Sequence, residues 1–363
     1  MKPINESVWH KFYKSRMFFP LACLFLVLVV NLLITPDFFS VKVMMVDGQP
    51  HLYGRIIDIL NRSSELMILA VGMTIVVSCS AGTDISVGAV MAFSGAVSIW
   101  FLGYGVLGVD GKFSVFEYQI PYICGTLIAL AVGAICGLWN GFLVSKLKIQ
   151  PMVATLILFT GGRGAAQLFA GGQVNRVEVP AYKWLGNFIP GIPVPTSIFI
   201  AVLVVIIAAL VLRFTALGMF IQSVGINKKA SRIVGLHSSR IILLAYMFCG
   251  LCAGIAGLIA TSRIGAIDAN NCGRNIELDA ILAVALGGNP LSGGRFSLAG
   301  SIIGAITIQS LTTSLLAVSV TADQLPVYKA VVVIIIVALQ SPELISMLRK
   351  LHVKFMPEKV GAK

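Results

Sequence analysis

Apolar residues gather into ten runs, at 17–34, 66–77, 87–106, 120–144, 152–170, 197–212, 241–260, 278–286, 298–316 and 326–340. A bilayer-crossing helix needs about 20 residues. The second and eighth runs are too short alone and are read as continuing into their polar flanks. Both are also interrupted. The second is cut by Ser78-Cys79-Ser80-Ala81-Gly82-Thr83-Asp84 before apolar sequence resumes at Ile85. The eighth is cut by Gly287-Gly288-Asn289-Pro290-Leu291-Ser292-Gly293-Gly294-Arg295 before it resumes at Leu298. Lipid offers open backbone no hydrogen-bond partner, so non-helical chain at membrane depth survives only against protein or a wet cavity. Paired interrupted spans in the two halves of a chain point to a transport path. The pattern predicts an all-α polytopic bundle of about ten transmembrane helices, with two interrupted spans, that moves a solute.

Composition supports the membrane class. Of 363 residues 57% are hydrophobic and 12% charged, with mean hydropathy +0.93, whereas soluble domains are about a quarter charged. The chain divides into a tail at 1–16, one transmembrane domain at 17–340 and a second tail at 341–363. The run at 17–34 is long for a signal peptide and has no small-residue cleavage site, so it is expected to stay attached. A net charge of +12 could suggest nucleic acid, but the basic residues are scattered without an aromatic-interleaved patch. They report orientation instead. With the N-terminus inside, inner segments hold 17 Lys and Arg and outer segments 8. The positive-inside rule then places both termini in the cytoplasm, with Lys42 and Asp268 outside. Most acids also fall outside, among them Asp37, Asp47, Asp58, Asp110 and Glu117.

Several chemistries are excluded. No P-loop is present: at Gly111-Lys112, Val106 and Phe113 stand where the motif needs Gly and Ser or Thr. ATP hydrolysis is therefore not expected of this chain. Gly103-Tyr104-Gly105-Val106-Leu107-Gly108 matches GxGxxG without a βαβ setting and is a chance match. His10, His51, His237 and His352 are isolated, and no nucleophile–base pairing is readable. Neither an enzymatic activity nor a metal or cofactor bound by this chain is expected. Seven cysteines imply no disulfide framework, and Cys249 and Cys252 form a CxxC inside a glycine-containing apolar helix, where packing outweighs redox chemistry. Gly133, Gly137 and Gly141, Gly250 with Gly254, and Gly300 with Gly304 give GxxxG spacings that suit either bundle packing or a subunit interface.

The inner segment 213–240 carries a short predicted helix. Asn227 is a good N-cap, Lys228-Lys229-Ala230-Ser231-Arg232-Ile233-Val234 makes about two turns, and Gly235 closes them. Such an element either docks a partner below the membrane or rests on anionic lipid.

Motifs in order over 17–340 resemble the sugar permeases of ABC transporters of the ribose/galactose type. They are Ala81-Gly82-Thr83-Asp84-Ile85-Ser86-Val87-Gly88, Trp139-Asn140-Gly141, Asn227-Lys228-Lys229-Ala230-Ser231-Arg232, Glu277-Leu278-Asp279-Ala280-Ile281 and the glycine-rich stretch from Gly287 to Gly300. Asp58-Ile59-Leu60-Asn61-Arg62, Lys148-Ile149-Gln150-Pro151 and Asp268-Ala269-Asn270-Asn271 resemble the galactofuranose type in particular. Ala81 departs from the family's usual Gly, a small-for-small change. The resemblance implies a cytoplasmic ATP-binding subunit that holds ATP and Mg, a periplasmic sugar-binding protein and a second permease chain, a heterodimer ahead of a homodimer. Asn227, Lys228, Lys229, Ala230, Arg232 and Gly235 then match the helix that couples to the ATPase.

Polar groups in the spans are candidates for the sugar path. Arg163 sits in the middle of the fifth run, and buried charge in lipid costs several kcal/mol, so it should face protein or a cavity. Asp84 and Asp279 are the available carboxylates. Anchoring or snorkelling of Arg163 ranks ahead of sugar contact, and capping of the next helix is the first reading of Asp84. Asn140 and Asn271 could bond sugar hydroxyls and Trp139 could stack on a ring, or each could pack. Lys329 is expected to snorkel to the interface. The competing reading is an ion-coupled sugar carrier working without an ATPase, which would need coupling carboxylates in mid-span.

Overall fold

The computed structural model describes residues 17–34, 36–46, 48–107, 113–116, 120–177, 179–321 and 323–340. The predicted tails at 1–16 and 341–363, with Asp47, Asp110 and Glu117, lie outside the described residues. Helices follow in the order α1 (Phe18–Ile34), α2 (Arg55–Ser80), α3 (Val87–Leu102), α4 (Tyr122–Ser145), α5 (Pro151–Ala170), α6 (Pro180–Lys183) and α7 (Thr196–Phe214). Then come α8 (Leu217–Ile226), α9 (Lys228–Ile233), α10 (Ser238–Ile264), α11 (Ile276–Leu286), α12 (Leu298–Ala317) and α13 (Leu325–Gln340). Each apolar run is a helix. Six of them, α2, α4, α5, α7, α10 and α12, are long and apolar enough to cross a membrane.

The two short runs behave differently. Helix α2 reaches back through its polar flank to Arg55 and attains 26 residues. Helix α11 keeps only 11, about half a crossing, against the expectation that it would lengthen. Its start is fixed by left-handed backbone at Gly273 and Asn275, φ +65° and +64°. Its end is closed by a Schellman pair, Gly288 N–H to Ala285 O and Asn289 N–H to Val284 O, with Gly288 at φ +74°.

The chain is mostly helical as expected, with short strands in the connections. Strands β1 (Lys42–Val46) and β2 (Gln49–Tyr53) form an antiparallel hairpin through Gly48 at φ +74°. Strands β3 (Tyr104–Leu107), β4 (Phe113–Phe116), β5 (Asn175–Arg176) and β6 (Ala266–Ile267) pair in the order β4-β3-β5-β6. The GxGxxG stretch thus leads into a β-hairpin, not the strand–helix turn that a dinucleotide needs.

Helix α2 is the axis of the bundle. Every residue from Ser63 to Cys79 is buried, as in a helix enclosed on all sides. Apolar side chains are left exposed on α5 and α7, among them Leu156, Ile157, Leu203 and Ile206. The GxxxG faces are filled from within the chain. A Cβ on Gly137 would overlap the Tyr246 carbonyl oxygen, and one on Gly133 would stand 2.5 Å from the Gly250 oxygen, so α4 and α10 touch backbone to backbone. Gly304 meets the Ala283 carbonyl in the same way, joining α11 to α12. Cys249 and Cys252 are free thiols packed on Gly72.

Candidate functional site

The first break is shorter than expected, because α2 runs on through Ser78-Cys79-Ser80 and stops at Ala81. Ala81 adopts φ 54°, ψ 36° and its N–H donates to Val77 O at 3.1 Å. That left-handed corner favours glycine, so Ala81 is more than a small-for-small change. Beyond it, Asp84 is 2% exposed. Its Oδ1 accepts from Ser86 N–H at 2.9 Å and Ser86 Oγ at 2.6 Å. Asp84 therefore braces the turn before α3; the N-cap position belongs to Ser86, which makes no side-chain cap. Fully buried Asn140 on α4 completes the group, donating through Nδ2 to Ser86 Oγ at 2.8 Å and Asp84 Oδ1 at 3.4 Å. Ile85 N–H donates to Thr155 Oγ1 of α5 at 3.2 Å. Three helices thus hold one stretch of open backbone, which is how such backbone survives in a membrane.

The second break hangs on Asn289, 5% exposed. Its Oδ1 accepts from Ser297 N–H at 2.6 Å, while Nδ2 donates to Ser301 Oγ at 2.8 Å, Val284 O at 3.2 Å and Ser297 O at 3.3 Å. One side chain therefore ties the end of α11 to the start of α12. Ser297 caps α12 by accepting from Gly300 N–H at 3.2 Å. Ser301 Oγ lies 2.6 Å from Thr74 Oγ1, and Thr74 Oγ1 donates to Ala70 O at 2.6 Å, so the relay ends on α2. The second break is also bonded to the last turn of α2, where the first begins: Gly294 N–H donates to Ser78 O at 2.9 Å.

Among the described residues Arg163 forms no ion pair with a carboxylate. Its Nη1 donates to Ala269 O at 3.1 Å and Cys272 O at 2.5 Å, gathering the loop before α11 around the guanidinium. Backbone carbonyls replace the expected ion pair because both candidate acids are engaged elsewhere. Beside Arg163, Gln167 Nε2 donates to Asn270 Oδ1, and exposed Asn271 Nδ2 donates to Asp268 Oδ2 at 2.7 Å. Asp279 pairs with Lys329 at 2.8 Å. The lysine, expected to snorkel, thus bridges α13 to α11. Trp139, half exposed, is not buried with its neighbour Asn140.

Helix α9 forms where expected. Asn227 Oδ1 accepts from Lys229 N–H at 3.0 Å and Ala230 N–H at 2.9 Å. Gly235 at φ +86° closes the helix by a Schellman pair, Gly235 N–H to Arg232 O and Leu236 N–H to Ser231 O. Lys229, Ala230 and Arg232 are exposed. Burial lowers the pKa of the Lys228 ammonium, and the like charges of Arg232 and Lys148 add to the shift.

Other charged residues were not singled out from sequence. Glu65 on α2 pairs with Arg263 on α10 at 2.9 Å, and Arg263 Nη2 also donates to Asn61 O at 2.9 Å. Glu277, 4% exposed, lies against Gly88 at the start of α3, where any Cβ would collide with it. Its place in Glu277-Leu278-Asp279, beside a candidate acid, was the available signal.

The family described as branched-chain amino acid transport system / permease component matches residues 55–339. The galactofuranose transporter permease protein YtfT of Escherichia coli is 44% identical over 329 residues, 91% of each chain. The fructose import permease protein FruF of Bifidobacterium longum is 37% identical over 361 residues, 97% of this chain and 96% of the relative. The ribose import permease protein RbsC of Escherichia coli is 32% identical over 321 residues, 87% and 91% of the two chains. With its apolar helices and paired breaks, the chain is a multi-pass inner-membrane protein that belongs to this permease-component family.

Proposed function

We propose that this chain is the permease subunit of an ATP-driven importer that carries a monosaccharide of the galactofuranose, galactose or ribose kind across the inner membrane. The observation that carries this reading is the hydrogen bond that ties the second break, at Gly294, to Ser78 in the last turn of α2, where the first break begins. Paired broken helices are the form a transport path takes, since open backbone is tolerated only along protein or a wet cavity. The sugar names of its relatives supply the substrate class.

In this reading about ten spans place both termini in the cytoplasm, with Lys42 and Asp268 in the periplasm. Helix α9 docks a cytoplasmic ATP-binding subunit, which holds ATP and Mg. A periplasmic binding protein delivers the sugar, and a second permease chain, different from this one, completes the path. Arg163 and Asn271 carry guanidinium and amide donors that suit sugar hydroxyls and would exchange their present carbonyl and carboxylate partners for them, and half-exposed Trp139 offers a ring face. Asp84, Asn140 and Asp279 are engaged by Ser86, each other and Lys329, so they act by positioning. The ion pairs Glu65–Arg263 and Asp279–Lys329 neutralise two of the carboxylates that an ion-coupled carrier would need free.

Reconstitution tests the reading. Proteoliposomes holding the permease pair, the ATPase and the binding protein should take up galactofuranose only with internal ATP. Uptake by this chain alone, driven by a proton or sodium gradient, would overturn it. Orientation is tested by labelling single cysteines in intact cells, on a background without native cysteines. Reagent should reach position 42 and not 352; the reverse pattern would invert the topology.

A further inference from the structure

We propose that Gly225 is the positioning residue through which α9 moves both breaks together. This rests on the reading of α9 as the docking helix and adds the route by which its motion enters the membrane. Helices α8 and α9 share one residue as their elbow. Asn227 N–H donates to Ser223 O at 3.1 Å, finishing α8, while Asn227 O accepts from Ser231 N–H at 3.0 Å, starting α9. No loop intervenes to absorb a tilt. A tilt of α9 therefore displaces the last turn of α8.

That last turn lies directly on the joint between the breaks. A Cβ on Gly225 would overlap Ser78 O and stand 2.6 Å from Gly294 N, the two atoms of the hydrogen bond that joins the breaks. A Cβ on Gly294 would lie 3.0 Å from Ile226 Cγ1, and one on Gly293 would lie 3.2 Å from Ala81 Cβ. Gly293 and Gly294 hold φ +87° and +95°, backbone that other residues rarely adopt. The end of α2, the loop after α11 and the end of α8 are thus in backbone contact at one point. From there Ser78 leads through the Asp84 turn to α3, and Gly294 leads through the Asn289 network to α12. Close-packed backbone passes displacement on with little slack, so one input shifts both broken helices.

The test uses the assembled transporter in proteoliposomes. It reads ATP hydrolysed with and without sugar-loaded binding protein, and sugar carried per ATP. Gly225→Ala should keep basal ATP hydrolysis and lose its stimulation. Sugar carried per ATP should fall about tenfold, within the range of couplings between sites. Ile226→Ala shortens the side chain that borders the Cβ position of Gly294 without adding bulk, and should lower the same ratio by about fivefold. Met219→Ala, on the exposed side of α8, should change neither quantity. A merely structural role would lower the yield of folded transporter and leave sugar per ATP unchanged. If Gly225→Ala does not assemble, Ile226→Ala decides. An unchanged ratio in Ile226→Ala overturns the proposal, as does an unchanged ratio in an assembled Gly225→Ala. Ser231→Pro, which breaks α9 itself, separates the two failures. If it uncouples while the α8 variants do not, the joint is wrong and the docking helix stands; if it transports normally, the docking reading falls.

Discussion

Lys329 Nζ stands 2.8 Å from Asp279 Oδ2, tying the fifth residue of α13 to the half-length helix α11. Both side chains are largely enclosed, at 15% and 22% exposure. The pair brings an asymmetry. A lysine that loses its partner can extend its long stem towards an interface, whereas the short carboxylate of Asp279 cannot.

Lys329→Met should therefore destabilise the protein by roughly 3 kcal/mol, the cost of stranding one charge of a buried pair. Asp279→Asn should cost clearly less, and Lys329→Met with Asp279→Leu should recover most of the loss. Unfolding in detergent at several denaturant concentrations gives the order. Equal losses for the two single variants would mean that the lysine cannot reach an interface.

Ala81 offers a gain. Its left-handed backbone, φ 54°, costs an L-residue about 1–2 kcal/mol that glycine avoids, less the extra entropy glycine loses on folding. The Ala81 side chain is exposed, so little packing is forfeited. Ala81→Gly should stabilise by about 0.5–1 kcal/mol, and Ala81→Val should destabilise, because branched side chains tolerate positive φ least. Thermal unfolding of the three proteins in one detergent measures this; a loss on Ala81→Gly would show that the methyl contributes packing.

The ten apolar runs and the α9 caps were legible because their causes are local. Asn227 bonds amides two and three residues away, and Gly235 closes a helix within its own turn. The partners of the candidate acids were not, since Asn140 reaches Asp84 across 56 positions and Lys329 reaches Asp279 across 50. Single-residue chemistry cannot rank such pairings. Helix α8 was hidden for another reason: Gly218, Gln222, Ser223 and Gly225 interrupt its apolar run, so it read as part of the inner segment. Strands β1 to β4 are four or five residues in short hairpins, and β5 and β6 are two residues each that pair only across distant connections. No local alternation announces them.

Asn289 tests whether the second break is held by donors or merely filled. Asn289→Ala removes four bonds in a site 5% exposed, and at about 1 kcal/mol each net the loss should be roughly 2–4 kcal/mol. Asn289→Asp keeps an acceptor for Ser297 N–H but turns a carboxylate oxygen onto the carbonyls of Val284 and Ser297. It should be at least as damaging as alanine at neutral pH. Burial raises the pKa of such a carboxyl above its unfolded value of about 3.9. The folded state then binds the proton more tightly, so the stability of this variant relative to the native protein should rise as pH falls through the folded pKa. The protonated acid regains a donor for Ser301 or Val284. A pH-independent gap between the Asn289→Asp variant and the native protein would show that the site is wet.

In the proposed importer coupling runs through helix α9, and the geometry of that helix decides which substitutions break it. Asn227→Ala removes a cap that serves two amides and should weaken the helix by about 1 kcal/mol. Proline at Ala230 is a mild lesion, because Ala230 is in the first turn, where its N–H bonds the Asn227 side chain and no helical carbonyl. Ser231 is the sharper choice. Its N–H makes the first internal bond, to Asn227 O at 3.0 Å, and its Oγ donates to the same oxygen at 2.9 Å. Ser231→Pro should cost roughly 3 kcal/mol or more within six residues, enough to melt α9 while the membrane helices persist. The expected outcome is normal insertion, abolished sugar uptake and ATP hydrolysis that ignores the loaded binding protein. Asn227→Ala should lie between this variant and the native chain. Uptake at the native rate in Ser231→Pro, at equal membrane abundance, would shift the docking role to the glycine-rich loop at 287–295.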